Sequence, residues 1–417
     1  MKVFKFGGAS VKDVKGVQNV INVLQKTDTS NAIIIVSAMG KITNALEQVV
    51  HNYLNQTTEL KDSLDYIKNY HQGILRELFK NGRHPVFEKI EVFISDLETT
   101  LDRNKSTQYD YVYDQVVCYG ELISTTIVSE YLLDQGYKNH WLDARDLIKT
   151  DNSYRDATVN WDKTQQNIIE KVSKIGLTVS QGFIASDPNN FTTTLGREGS
   201  DYSAGIFAYC IQAASVSIWK DVPGVLNGDP RVFKNVKLLS QISYEEAIEL
   251  AFYGASVIHP KTLQPLQRKE IPLYVKSFIN PENEGTSVKK GQRLIPFIPC
   301  YIVKKNQILL SLSSLDFSFI VEDNISELFN LFYNYQLKVD LIQNSAISFS
   351  VCLDDKFNTF DQLHTKLKAK FRVICEKNVS LFTIRHATDD AISLLERNKN
   401  ILLKQSTKET YQMVVKQ

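Results

Sequence analysis

The sequence predicts an α/β protein built on a mainly parallel sheet, followed by a smaller α+β region, and three observations carry that prediction. Lys2–Phe6 alternates polar and apolar residues and runs into Gly7-Gly8, after which Val14, Val17, Ile21 and Leu24 recur at helical spacing. The same order of strand, glycine and helix returns at Ala32–Ala38, Gly40 and a helix carrying Leu46, Val49 and Val50; an uninterrupted apolar run of this kind suits a parallel strand covered on both faces. Beyond Ile302 the pattern changes to short elements in the order strand, helix, strand, strand, helix, strand.

Between these landmarks each element has its own signal. From 55 to 103 a charged stretch with Leu60, Leu64, Ile67, Ile74, Leu75 and Leu78 on one face reads as a helical excursion from the sheet. Helix Glu121–Leu133, strand His140–Asp143, strand Leu177–Phe183, helix Ser200–Ala213 and strand Ser215–Asp221 resume the alternation. Helix Tyr244–Tyr253 and strand Ile271–Ser277 complete it, and turn signals at Asn280-Pro281 and Glu284-Gly285 close a first domain, 1–295, before a linker with Pro296 and Pro299. Residues 302–376 hold strands Gln307–Leu312, Lys338–Gln343, Ile347–Leu353 and Phe371–Glu376 with helices Ile325–Tyr335 and Phe357–Leu367, which is one βαββαβ unit. Residues 377–417, with strand Val379–His386, helix Thr388–Arg397 and strands Ile401–Lys404 and Tyr411–Lys416, read as a second copy truncated before its last helix and strand.

Composition removes several function classes. A chain of 417 residues with 43% hydrophobic and 23% charged residues can bury two or three full cores. Its 48 basic and 47 acidic residues leave a formal charge of +1, so there is no electrostatic case for nucleic acid or an anionic membrane as partner. Cys118, Cys210, Cys300, Cys352 and Cys375 form no C-x-x-C pair and read as buried reduced thiols. The apolar stretches fall short of the ~20 residues a membrane helix needs, and the N-terminus enters a strand with no leader, so a cytoplasmic protein is expected.

Three segments carry chemistry. In Lys5-Phe6-Gly7-Gly8-Ala9-Ser10 a lysine ends a strand and two glycines let backbone N–H groups approach an anion just before a helix, although the same residues also serve a tight turn with a Ser10 cap. The segment matches neither the P-loop nor the dinucleotide fingerprint. In Thr192–Tyr202, glycines flank Arg197, whose planar fork suits a carboxylate or phosphate, and a helix starts near Ser200; an Arg–Glu surface pair beside a capped helix is the alternative. Strand Val216–Asp221 then leads into Val222–Arg231, a loop at the carboxyl end of a parallel strand, where α/β sheets bind ligands.

Taken in order, KFGGASV (5–11), VSAMGKITN (36–44), GELIS (120–124), SQGFIA (180–185), TTTLGREGSDYSA (192–204), WKDVPGVLNGDPR (219–231), ELAFYGASVIHPKT (249–262) and the stretch 272–287 closely resemble the aspartokinases, and the C-terminal region resembles their ACT regulatory modules. The resemblance implies an amino-acid-kinase domain, a three-layer α/β/α sandwich, that transfers the ATP γ-phosphoryl group to the β-carboxylate of L-aspartate, giving 4-phospho-L-aspartate for lysine, threonine and methionine synthesis. A carboxylate nucleophile is already ionised at neutral pH, so the barrier lies in bringing two anions together and the site should be rich in cations and backbone donors. By its match to the motif, Lys5 would neutralise the transferring phosphoryl group while Gly7 and Gly8 hold phosphate oxygens. Ser37, Thr43 and Ser200 match hydroxyls that contact substrate or phosphate; each is also a helix-cap residue type. Arg197 would clamp the aspartate α-carboxylate and Glu121 would accept its ammonium, with a first-turn helix carboxylate as the alternative for Glu121. Asp201 would orient the lysine or the substrate amine. Lys220, Asp221, Asn227, Gly228 and Arg231 would lie along the nucleotide. Mg²⁺ would be held through the ATP phosphates, with no direct protein ligand. His259 reads as packing.

The chain also departs from the motifs. Ala9 stands in place of Thr, Glu198 in place of Gly, Lys220 in place of Thr, Leu226 in place of Tyr and Ser256 in place of Lys. Glu198 and Lys220 are expected to compensate one another as an ion pair. In the ACT region Val339, Asp340 and Ser345 match the segment lining an amino-acid effector site for lysine or threonine, but 313–323 lacks the family's glycine-containing loop, so feedback is expected to be weak. The modules would pair two chains into a homodimer. The alternative is an amino-acid sensor with a weakened kinase. An attached homoserine dehydrogenase is not expected, because no chain follows the second module.

Overall fold

The computed structural model describes every residue except 28, 30, 173–175, 256, 257, 317 and 417. Its residues form two compact units, one made of 1–225, 238–248 and 258–296, the other of 226–237, 249–255 and the chain from Phe297 on. The second unit's continuous chain begins at Phe297, and two segments ahead of it belong to the same unit.

The first unit begins β1 (Lys2–Phe6), α1 (Val14–Gln25), β2 (Asn31–Val36), α2 (Ile42–Leu54), α3 (Leu60–Leu78), α4 (Val86–Arg103) and α5 (Tyr109–Asp134). It continues with β3 (Asn139–Leu142), α6 (Ala144–Leu147), α7 (Trp161–Lys171), β4 (Gly176–Gln181), β5 (Ile184–Ser186), β6 (Thr192–Thr194), α8 (Gly199–Ile211) and β7 (Ser215–Lys220). Then follow β8 (Gln241–Ser243), α9 (Tyr244–Tyr253), whose residues from Glu249 on belong to the second unit, α10 (Pro260–Lys269), β9 (Leu273–Ser277) and β10 (Thr286–Lys289). An eight-stranded sheet runs β3-β4-β2-β1-β7-β9-β10-β8, parallel from β3 through β9. The chain leaves β1 to one side for β2 and β4 and reaches β7 on the other side, so the sheet's switch point lies at its middle.

The pleat decides which side chain meets which helix. Phe4, Phe6, Ile34, Val36 and Trp219 enter the core built with α1 to α5, and Phe6 stacks on Trp219. Val3, Ile33, Ile35 and Ile218, on the opposite face, are fully buried on the side where α8 packs against β1, β2 and β7. Both faces are thus covered, which is why the β2 run is apolar without alternation. Helix α5 is long and apolar enough to cross a membrane, and 89% of its qualifying 18-residue window is buried in the protein.

The second unit holds β11 (Cys300–Ser314), α11 (Glu322–Asn334), β12 (Lys338–Asn344), β13 (Ser348–Asp354), α12 (Phe360–Leu367), β14 (Phe371–Arg385), α13 (Asp389–Glu396), β15 (Asn400–Ser406) and β16 (Thr410–Lys416). These make one six-stranded sheet, β12-β13-β11-β14-β16-β15, rather than separate sheets for 302–376 and 377–417. Both β11 and β14 are 15 residues long and pair along their whole length, with an irregularity at 304–309. The strand that the second copy was expected to lack is supplied from ahead of the first: Cys300–Lys304 pairs with Leu381–Arg385, which in turn pairs with β16. Helices α11 and α12 cover Ile308, Leu310, Leu312 and Val351, and α13 covers Ile384, Met413 and Val415. All five cysteines are thiols, four of them buried.

Candidate active site

The carboxyl ends of β1, β2, β4 and β7 lie level, with Phe6 beside Val36 and Trp219, and Val36 beside Gln181. Lys5 shares the pleat of Val3 and therefore points to the α8 side, and Lys220 shares the pleat of Ile218, the partner of Lys5. Helix α8 begins on that side with Ser200 and Asp201 in its first turn, both buried. The result is a three-residue centre. Lys5 Nζ stands 2.6 Å from Asp201 Oδ1 and Lys220 Nζ 3.2 Å from Asp201 Oδ2. Burial pushes the Asp201 carboxyl up, but the two ammonium groups overcome that effect and hold it below the usual carboxylate range. A carboxylate so held is a poor base and a good anchor. The ion pair found at Lys220 is with Asp201 and not the expected one with Glu198; burial holds the His259 imidazole below its ordinary value, and Glu198 opposes that only in part. His259 itself caps α10, its Nδ1 accepting from the Lys261 N–H at 3.2 Å, in keeping with a packing role.

The glycines leave room for close approach. A Cβ on Gly7 would stand 3.3 Å from Lys5 Nζ, and one on Gly8 would stand 2.7 Å from the Ala38 carbonyl oxygen. The Gly40 N–H donates to the Gly8 carbonyl at 2.9 Å, which ties the loop after β1 to the loop after β2. Ser37 and Thr43 are half-buried in and just after that second loop. Gly182, at the end of β4, packs so tightly on α8 that a Cβ would come within 2.5 Å of Ser200 Cβ.

From the other face comes Glu121. It lies in the middle of α5, not in a first turn, which removes the helix-dipole alternative. Its Oε1 accepts from the Ala38 N–H at 3.2 Å, and one turn on Ser124 Oγ donates to the Ser37 carbonyl at 2.7 Å. The spacing of Glu121 and Ser124 thus puts both on the helix face that grips the loop after β2. Burial pushes the Glu121 carboxyl up to about 8, opposed by the Ala38 N–H and by Lys5, and Oε2 has no partner among the described residues. Such a buried, open acceptor fits an incoming ammonium group.

Arg197 is exposed in the turn before α8, between Gly196 and Glu198, both with positive φ, and it forms no ion pair among the described residues. Motif reading missed what holds this turn. Asp114 of α5, buried, accepts from the Thr194 N–H and hydroxyl at 2.8 Å each and from the Arg155 N–H at 3.0 Å, and burial pushes its carboxyl up to about 6. Its only sequence signal is an acid in an apolar helix. Asp221 is exposed at the end of β7. Asn227, Gly228 and Arg231 fall in the second unit and are engaged there. Asn227 donates to the Pro299 carbonyl and accepts from the Lys237 N–H, Gly228 packs on Phe233, and Arg231 pairs with Asp229. Ser256 lies outside the described residues.

In the second unit Asp340 is the extra residue of a bulge in β12. Its side chain is 3% exposed and pairs with Lys304 at 2.8 Å and Lys338 at 3.5 Å, while Oδ2 has no partner among the described residues. Ser345 exchanges a hydrogen bond with Ser348, and Val339 is half-buried.

Two lysines on one carboxylate, a glycine pair and a buried open acid, all at the carboxyl edge of a parallel sheet, define a site for phosphoryl transfer between anions. Residues 1–277 match the amino acid kinase family. The lysine-sensitive aspartokinase 3 of Escherichia coli is 31% identical over 395 residues, 92% of this chain and 86% of that protein. The crystal structure of E. coli aspartokinase III with aspartate and ADP (R-state) has a TM-score of 0.84 at 28% identity, covering 100% of this chain and 96% of that one. The same enzyme with lysine and aspartate (T-state) has a TM-score of 0.80 at 29% identity, with the same coverage. The chain belongs to the amino acid kinase family and, within it, to the aspartokinases.

Proposed function

We propose that the chain is an aspartate kinase, transferring the γ-phosphoryl group of ATP to the β-carboxylate of L-aspartate. The observation that carries this is the Lys5–Asp201–Lys220 centre facing Glu121 across Gly7-Gly8, in a chain that matches aspartokinase III over its whole length. Asp201 anchors Lys5 so that its ammonium meets the charge that develops on the transferring group, and the Gly7 and Gly8 amides add donors. Glu121 receives the substrate ammonium and Arg197 its α-carboxylate, which selects an amino acid over a plain diacid. No general base is needed.

The nucleotide is used as its Mg²⁺ complex, in which the ion neutralises phosphate charge. Asp201 is already held by two ammonium groups, and this reading assigns the ATP phosphates and water as the ion's ligands. The product feeds lysine, threonine and methionine synthesis in the cytoplasm, the second unit pairs two chains, and lysine or threonine acts there as effector; the E. coli relative's lysine sensitivity supports this last reading.

The test is aspartate-dependent ADP release with Mg·ATP, with hydroxylamine trapping of the acyl phosphate. Trapped aspartyl hydroxamate is the expected result. Nucleotide binding without turnover on aspartate would replace the kinase by an amino-acid sensor.

A further inference from the structure

Lys220 is one of the positions at which the chain departs from the motif it otherwise follows, and its placement gives that departure a use. It ends β7, directly across from the Gly7-Gly8 loop that ends β1, and it reaches the same buried carboxylate as Lys5. The three side chains are not equally enclosed: Asp201 is 2% exposed, Lys5 10% and Lys220 21%. Lys220 therefore has the widest access to a ligand arriving at this edge, while Asp201 fixes the position of its ammonium. Two ammonium groups thus share a single buried carboxylate. The chain also carries serine at position 256, where the motif often has lysine, so the cations in these motifs are redistributed rather than lost.

We propose that Lys220 is a second phosphoryl-binding residue, which together with Lys5 clamps the γ-phosphoryl group of the nucleotide, with Asp201 as the common anchor of both ammonium groups. This rests on the kinase reading and adds to it a particular residue and a particular phosphate. Because the contact is to the γ position, it separates a triphosphate from a diphosphate. Loss of one charge-assisted hydrogen bond weakens binding about tenfold to a hundredfold.

The test is calorimetric titration of the full chain and its Lys220→Met and Lys220→Arg variants with Mg²⁺ and either ADP or a non-hydrolysable ATP analogue with an imido bridge. The expected result is that Lys220→Met weakens the analogue at least about tenfold and ADP less than about threefold, with Lys220→Arg restoring most of the difference. Equal losses for both nucleotides, or no loss, would overturn the assignment and leave Lys220 as a counter-ion to Asp201. If Lys220→Met does not fold, Lys220→Thr serves the same comparison, and failure of both to fold would likewise make the residue a structural counter-ion. The readout needs no turnover. A wild-type chain inactive on aspartate would sink the kinase reading, while the two nucleotides would still decide on Lys220.

Discussion

Glu121 carries a proton at neutral pH because burial raises its carboxyl from the ordinary 4.5 to about 8. The folded chain keeps that proton between these values while the unfolded chain has lost it, so this group subtracts stability as pH rises from about 4.5 to about 8 and no further. Glu121→Gln removes the ionisation and keeps the shape. Its unfolding temperature relative to wild type should rise across that window, and a difference that stays constant with pH would refute the assignment. Aspartate binding should convert Glu121 to the carboxylate and release about one proton at neutral pH. Titrations in buffers of different ionisation enthalpy would show this as different apparent heats, whereas equal heats would mean the substrate ammonium goes elsewhere. At this scale short motifs mark Lys5, Glu121, Arg197 and Asp201 as candidates, and the fold sets Lys5 against Asp201 and Glu121 against the loop after β2, with Arg197 exposed. Asp114 and the Lys220–Asp201 pair carry no such mark, since both depend on partners that only the fold brings near.

Among the elements, the loops after β1 and β2 touch through backbone alone. The place of a Gly8 Cβ is taken by the carbonyl oxygens of Ala38 at 2.7 Å and Gly40 at 2.9 Å, so neither neighbour is a side chain that can turn away. Gly8→Ala should destabilise the protein by about 1–3 kcal/mol and weaken nucleotide binding, as thermal unfolding and an ADP titration would show. A variant with wild-type stability and affinity would mean that the loops separate without cost. The shared pleat of Lys5 and Lys220 follows from the parallel register of β1 with β7, which the sequence alone does not give. The start of α5 was not legible either: Tyr109–Gly120 is rich in aromatic and β-branched residues and buried almost all round, so no polar face marks the helical period. The continuity of β14 through Asn378, which has a φ of 57°, was hidden for a similar reason, since that residue reads as a turn between two strands.

For the whole molecule, the proposed effector reading rests on the second unit. Asp340 is already shared by Lys304 and Lys338, and Lys304 also donates to the Phe252 carbonyl at 3.2 Å. A lysine effector would have to compete with ammonium groups tethered to the chain, so inhibition should be modest at millimolar lysine, and Lys304→Met should sharpen it. Inhibition curves of both proteins check this; a micromolar inhibition constant for wild type would overturn it. The change of pattern near 300 is visible in the sequence, but the membership of 226–237 and 249–255 in the second unit is not, because contacts between distant segments leave no local periodicity.

The pairing of Cys300–Lys304 with Leu381–Arg385 has a consequence for how the protein is made. On a ribosome these two segments emerge far apart in time, with the whole of α11 to α12 between them. At about 5–20 residues per second the earlier one waits on the order of several seconds, and β16 must follow before β14 is flanked on both sides. During that interval the nascent chain carries an unpaired apolar strand, the feature that chaperones and foreign strand edges both recognise. Slow codons placed before 381 should lower soluble yield more than the same codons placed after 417 in a fused tag, although neither changes a single contact in the finished fold.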